Sequence, residues 1–338
     1  MTSTASVDIV IAGAGPAGLA AAIAAKRRGL TYRVFEKGSL VNSLLHYPAG
    51  MVFFTTPELM EIGNLPFVSP HDKPTRAEAL RYYRRVAETY ELDIAFDTAV
   101  TAISRAGEEF VVQTSGRDAT TTRATFLLMA TGAYDFPNSL GVPGEDLPHV
   151  SHYYGEPFAW YRKHVVVVGG KNSASETALD LFRNGAYVTL VHRQAALGEG
   201  IKYWVKPDIE NRIAEGSIRA RFNATVEEIT PTDVVVRTPA GAEAVPADGV
   251  FLLTGYRADN QLLASAGVEI LNNGEYPRHD PATYETNVPG LFLAGAVIAG
   301  RQSGRIFIEN GRFHGEQVIQ TVASRLAAAR PGDAGATP

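Results

Sequence analysis

The chain has 338 residues, 45% of them hydrophobic and 20% charged, a balance ordinary for a soluble globular protein of about two domains. Its 31 basic and 36 acidic side chains leave a net charge of −5, which argues against a nucleic-acid binder. There is no cysteine, which excludes disulfides, thiolate zinc sites, cysteine-ligated iron–sulfur clusters, a cysteine nucleophile and an internal dithiol relay.

Residues 7–25 are almost entirely apolar, but they hold Asp8, three glycines and Pro16, and no basic residue precedes them. They read as a buried strand (7–12), a glycine turn and a tightly packed helix to residue 28, rather than as a signal peptide or membrane span. The expectation is a soluble, cytoplasmic protein with no membrane span. Gly29 ends that helix, and residues 32–36 read as a second strand. A loop-rich segment, 37–74, leads to a helix over 75–90 with Leu80, Tyr83, Val86 and Ala87 on one face. Short strands follow at 99–103 and 110–113, then a buried strand at 126–130 that ends in Thr131-Gly132.

The opening grammar then recurs. A strand at 164–168 runs into Gly169-Gly170-Lys171-Asn172-Ser173-Ala174, a helix to 184, a cap at Gly185 and a strand at 187–192. The copies lie too far apart for a solenoid, so one nucleotide-binding unit is used twice. Residues 250–253 end in Thr254-Gly255, echoing Ala130-Thr131-Gly132, and both endings are strand exits at which the chain can pass between domains. A strand at 291–294 and a long closing helix over 303–325 complete the chain, with a frayed tail from 327.

The first loop, Gly13-Ala14-Gly15-Pro16-Ala17-Gly18, is a G-x-G-x-x-G between a strand and a helix. Gly13 permits the turn, Gly15 lets backbone approach a pyrophosphate, and Gly18 lets the helix pack on the strand. The helix N-terminus offers free N–H groups to the phosphates. Glu36, at the end of the second strand, can accept hydrogen bonds from ribose hydroxyls and would repel a 2′-phosphate. The second loop has Lys171 at the second glycine position and Ala174 at the third. No acid ends its second strand, where His192 and Arg193 stand instead, with Lys202 nearby in sequence. Cations there suit the 2′-phosphate of NADPH, against the alternative of a solvated basic turn. If one dinucleotide is NADPH, the expected partner is a flavin, FAD, which accepts hydride and stays bound.

The sequence resembles the two-dinucleotide-binding flavoproteins of the low-molecular-weight thioredoxin reductase family, and within it the bacillithiol disulfide reductase branch. Glu36-Lys37-Gly38, Val41-Asn42-Ser43, Tyr47-Pro48, Glu61-Ile62-Gly63 and Val150-Ser151-His152-Tyr153 carry the likeness. So do the run from Gly169 to Ala174, Asn287-Val288-Pro289-Gly290, Ala294-Gly295 and the run from Phe307 to Gly315. The resemblance implies an α/β fold of two Rossmann-like domains, with an NADPH domain (142–257) inserted in an FAD domain (1–141 and 258–338), and a homodimer. It implies FAD contacts at Gly13, Gly15, Pro16, Ala17, Gly18, Glu36, Lys37, Asn42, Tyr47, Val100, Ala130, Thr131, Gly132, Gly295, Arg305 and Ile306. NADPH contacts are implied at Gly169, Gly170, Lys171, Asn172, Ser173, Ala174, His192, Arg193, Lys202 and Gly255.

Three departures stand out. The thioredoxin reductase Cys-x-x-Cys would fall near His152–Gly155, where there is no thiol; the Gly-Asp pair after the late strand is Gly295-Ala296; and Ala17 stands where members of the bacillithiol branch often carry a cysteine. His149 and His152 lack a third partner for a metal. His152 could give a proton near the flavin or serve as an ordinary structural hydrogen bond. Tyr47, Phe53, Phe54 and Phe67 could line the flavin pocket or simply pack. The start of the last helix, Gly304-Arg305-Ile306, would present N–H groups and a positive dipole end to the flavin N1–C2=O edge.

The leading expectation is an NADPH-dependent FAD oxidoreductase with a small-molecule or redox-protein acceptor. Bacillithiol disulfide is the acceptor that the resemblance suggests. A ferredoxin or flavodoxin–NADP reductase is the alternative. A flavin monooxygenase comes third, because its F-x-G-x-x-x-H-x-x-x-W pattern is absent, and a flavin-bound sensor without turnover is the non-enzymatic reading.

Overall fold

The computed structural model describes residues 6–272, 275–300 and 305–329. In chain order the first stretch holds β1 (Ser6–Ala12), α1 (Pro16–Arg27), β2 (Tyr32–Phe35), α2 (Arg76–Thr89), β3 (Ile94–Ala95), β4 (Thr98–Ala106), β5 (Glu109–Gly116) and β6 (Thr121–Met129). Next come β7 (Val150–Ser151), β8 (His164–Val168), α3 (Asn172–Arg183), β9 (Tyr187–Val191), α4 (Lys206–Ala214), β10 (Arg219–Arg221), β11 (Thr225–Ile229), β12 (Asp233–Thr238), β13 (Gly241–Pro246) and β14 (Gly249–Leu252). The chain closes with β15 (Leu291–Leu293), α5 (Ile308–Gly311) and α6 (His314–Ala329).

Two compact units result: residues 1–45, 50–136 and 256–338, and residues 46–49 with 137–255. In the first, β3-β2-β1-β6 are parallel neighbours, and β15 runs parallel to the C-terminal half of β6. The N-terminal half of β6 pairs antiparallel with β5, and β5 with β4. Residues Ile9–Ala12 are buried because the sheet is covered on both faces: α1 packs against β1, and Val10 and Ala12 share a core with Ile103, Phe110 and Val112 of β4 and β5, which is why the segment reads as one apolar run. Ala17 through Ala25 of α1 are all buried, and small side chains allow that close burial on every side. Pro16 opens α1, where a missing N–H costs nothing. Thr75 and Glu78 form a capping box that starts α2. The buried face of α2 is Ala79, Tyr82, Tyr83 and Val86, so Leu80 and Ala87 lie at its margin rather than on it as expected.

In the second unit β10-β9-β8-β14-β7 form an all-parallel sheet, with β11-β12-β13 as an antiparallel meander. Its two chain ends meet: Asn138 N–H donates to the Gly255 carbonyl (2.9 Å), and the Thr254 hydroxyl donates to the Asn138 carbonyl (2.6 Å). This pairing starts the unit at Pro137 and ends it at Gly255, a few residues ahead of the expected bounds at both ends.

The closing helix differs from its expectation. It starts at Ile308, not at 303, and breaks at Arg312–Phe313 before α6. The Asn310 side chain accepts from the Phe307 N–H (2.8 Å) and donates to the Arg305 carbonyl (3.1 Å), so local side-chain bonds cap the chain there. Arg305 and Ile306 therefore precede the helix and do not supply its N-terminus; Ser303 and Gly304 lie outside the described residues. Instead of fraying from 327, α6 continues to Ala329 with Leu326 buried. Among the described residues no helix is long and apolar enough to cross a membrane.

Candidate dinucleotide sites

The first glycine loop leaves β1 at the centre of its sheet. Gly13 has φ +107°, and a Cβ there would lie 2.5 Å from the Ala130 carbonyl oxygen. A Cβ on Gly18 would overlap the Gly13 carbonyl oxygen. Around Gly15 there is open space within 4 Å, and its backbone is extended. The loop thus packs inward at its outer glycines and leaves its middle one bare, the shape that lets a diphosphate approach backbone. Glu36 is buried, accepting from the N–H groups of Ala14 (2.8 Å) and Gly38 (3.0 Å). Burial pushes its carboxyl above the usual carboxylate range, and those two N–H groups oppose the shift.

Other first-unit residues converge on this loop. Val41 N–H donates to the Ala14 carbonyl (3.1 Å), which brings Asn42 beside it; a Cβ on Gly38 would abut the Asn42 amide. Thr98 N–H donates to the Glu36 carbonyl (2.8 Å), setting the start of β4, and so Val100, close by. Ala130 N–H donates to the Ala12 carbonyl (2.8 Å), and Gly132 follows with φ +73°. Thr131 lies between them. Lys37 forms an ion pair with Asp135 (2.8 Å). Gly295 (φ +75°) packs so closely that a Cβ on it would lie 2.9 Å from that of Ala17, and a Cβ on Gly311 would touch both Ile306 and Gly295. Arg305 is exposed. Tyr47 falls within His46–Ala49, the short segment grouped with the second unit.

Two residues join this site without having been expected there: Asp135, and His314, which lies in the Phe307–Gly315 run but was given no role. His314 is buried, and its Nδ1 accepts from the Gly295 N–H (3.2 Å) while its ring stacks on Tyr284 at 4.3 Å. Burial, with the charge of His279 beyond it, pulls the imidazole down to about 4.

In the second unit Gly169 (φ +150°) packs against Leu253 and Ala174, and the His192 ring lies over Gly170 where a Cβ would go. Lys171 and Ser173 are exposed at the start of α3. The Asn172 side chain accepts from the Lys202 N–H (2.8 Å) and donates to the Gly200 carbonyl (3.0 Å), folding residues 200–202 onto the helix start. Lys202 is buried, its ammonium on Glu176 at 2.6 Å, so this cation does not stand open to a phosphate as the sequence suggested. Burial and the Arg193 charge hold His192 below its ordinary value. Arg193 is exposed and has no ion pair among the described residues. Gly255 has φ +93° and leaves the unit beside Asn138.

His152 also lies in the second unit, with Nε2 3.4 Å from Glu145. Glu145 accepts as well from the Ser139 hydroxyl and the N–H groups of Leu140 and Gly141. His152 thus has a carboxylate partner within its own unit, as the structural alternative requires.

Comparison with known proteins agrees with this geometry. The profile of the family described as "Pyridine nucleotide-disulphide oxidoreductase" matches residues 10–295. The chain is 42% identical to the bacilliredoxin reductase Bdr of Bacillus subtilis (strain 168), over 94% of this chain and 97% of that one. It is 30% identical to a thioredoxin reductase of Listeria innocua, over 86% of each. A solved bacillithiol disulfide reductase from Bacillus cereus superposes with a TM-score of 0.92 at 39% identity, covering 95% of this chain and 99% of that one. The chain therefore belongs to the pyridine nucleotide-disulphide oxidoreductase family, whose members are NAD(P)H-dependent flavoenzymes.

Proposed function

We propose that this chain is an NADPH-dependent FAD oxidoreductase whose electrons leave the flavin directly for an external acceptor. In this reading the first unit binds FAD and the second binds NADPH. The observation that carries it is the opposite charge just past the two matching strands: a buried carboxylate, Glu36, one residue after β2, and an exposed guanidinium, Arg193, two residues after β9 and next to His192, which matches Glu36 in position. The residues fit FAD in the first unit because Gly15 has open space and Glu36 lies at the loop. When bound, FAD supplies a centre that accepts hydride from nicotinamide. Gly13, Gly15 and Gly18 shape the backbone for the diphosphate, Glu36 faces the ribose, and Gly295, fixed by His314, borders the flavin side of α1. In the second unit Gly169, Gly170 and the start of α3 take the NADPH diphosphate, and Arg193 takes its 2′-phosphate. Assembly as a homodimer and a cytoplasmic location belong to the same reading, supported by likeness alone.

With no thiol in the chain, a disulfide acceptor would have to be cleaved without a protein cysteine. Contact near the flavin suffices for a small oxidant or a redox protein. The second reading, turnover of a low-molecular-weight disulfide such as bacillithiol disulfide, is favoured by the 42% identity to bacilliredoxin reductase. Stopped-flow reduction by NADPH, followed by reoxidation with bacillithiol disulfide, a ferredoxin and a quinone in separate runs, separates them. Reoxidation is expected to be faster with the quinone or ferredoxin, and thiol alkylation to leave reduction unchanged. Faster reoxidation by bacillithiol disulfide overturns direct exit, and absence of flavin reduction by NADPH overturns the oxidoreductase assignment.

A further inference from the structure

In the first sheet β2 and β6 flank β1 on either side, and the glycine loop rises from the carboxyl end of β1. Lys37 follows β2 by two residues, and Asp135 follows β6 by six. Their side chains meet at 2.8 Å. An ion pair from one flanking strand to the other has to cross the crest of the sheet, beside the loop on which Glu36 and Ala14 are joined. That crest is where dinucleotides enter parallel α/β sheets. The pair has one well-shielded end, since the Asp135 side chain is 23% exposed and that of Lys37 47%. Both charges of the pair are felt at Glu36. The negative charge of Asp135 acts against ionisation of Glu36, and the positive charge of Lys37 supports it.

We propose that Asp135 is a positioning residue for the cofactor: through Lys37 it forms an ionic strap across the carboxyl end of β1 that governs how fast FAD enters and leaves the first unit. This rests on the reading that FAD occupies that unit. The strap does two things. It holds Lys37 toward the anionic diphosphate, and it keeps Lys37 over the ribose edge where Glu36 sits. Removing the Asp135 charge frees Lys37 to swing into solvent, so the cofactor leaves faster although no group that touches it is lost.

The test uses purified flavin-loaded protein, diluted so that released FAD is followed by its rising fluorescence. In Asp135→Asn the dissociation rate is expected to rise up to about fivefold, the range for a partly exposed ion pair. In the unmodified protein the rate should climb as salt goes from about 0.1 M to about 1 M, where the screening length shrinks from roughly 10 Å to 3 Å. In Asp135→Asn that salt response should flatten. Asp135→Glu, which keeps a carboxylate on a longer arm, should restore a slow, salt-sensitive rate. Adding Lys37→Met to Asp135→Asn should raise the rate less than Lys37→Met does alone in the unmodified background. An unchanged rate and salt response in Asp135→Asn overturns the strap while leaving the FAD reading intact. Equal acceleration in Asp135→Glu and Asp135→Asn also overturns it, because packing and not charge would then be at work. Unmodified protein that binds no FAD refutes the underlying reading, and the strap with it.

Discussion

Replacing Arg193 with Ala tests the cofactor order most directly. Of the cations that the sequence offers to a 2′-phosphate, the structure leaves one standing open. Lys202 is buried on Glu176 at 2.6 Å, and His192 is packed on Gly170 with its pKa held down by burial and by Arg193, so it is neutral near pH 7. Arg193 is exposed and permanently charged. Hydrogen bonds to charged groups are worth about 1.5–3 kcal/mol, and exposure places this one at the lower end. Arg193→Ala should therefore weaken NADPH by about 10- to 30-fold, with NADH changed less than about twofold. Flavin reduction measured against the concentration of each nucleotide in a stopped-flow instrument reads both. Lys202→Met is the control: it should alter NADPH half-saturation by less than about threefold, because removing this ammonium costs a buried ion pair, not a phosphate contact. Equal losses for NADPH and NADH in Arg193→Ala, or a larger NADPH loss in Lys202→Met, would refute the reasoning.

Two further predictions concern the first unit. Gly15→Ala should leave thermal stability unchanged, since its Cβ meets open space, but should sharply reduce FAD retention; Gly18→Ala, whose Cβ overlaps the Gly13 carbonyl, should cost roughly 1–3 kcal/mol of stability with or without flavin. Parallel melting curves and flavin titrations tell the two apart. His314 ionises at about 4 in the folded chain, against about 6.5 when unfolded, so between those pH values only the unfolded state takes up the proton. Stability falls as pH drops through that window, by about 3 kcal/mol in all, and His314→Gln should flatten the fall when melting is compared at the two ends.

The repeated strand–glycine–helix grammar was legible because each signal is local. Pro16, Gly13 and the apolar run before them fix β1 and α1 within some twenty residues, and the structure follows those bounds closely. What was not legible depends on contacts between distant residues. Lys202 looked like a phosphate ligand because sequence shows its nearness to Arg193 but not the Glu176 carboxylate on α3 that takes it. The helix expected from 303 starts late because the Asn310 side chain bonds the Arg305 carbonyl and the Phe307 N–H, on either side of Ile306, a competition that apolar periodicity does not register. Asp135 and His314 act through partners 98 and 19 residues away; nothing in the neighbours of Asp135 marks it, and the Phe307–Gly315 run marks His314 as part of a resemblance without saying what it bonds.

The clasp between Asn138 and Thr254-Gly255 makes the middle of this chain a cassette. A segment that leaves and returns at touching residues presents its host with one fixed end-to-end distance, whatever it contains. The entropy of closing such a loop grows only slowly with length, so the insert can gain or lose surface segments at little cost to the folding of its host. It also gives the protein a natural place to be reopened. A version with its ends relocated to a solvent-facing turn of the insert keeps every strand of the first sheet in register, and one trimmed to a short turn between residues 138 and 255 leaves the host's own strand order unbroken.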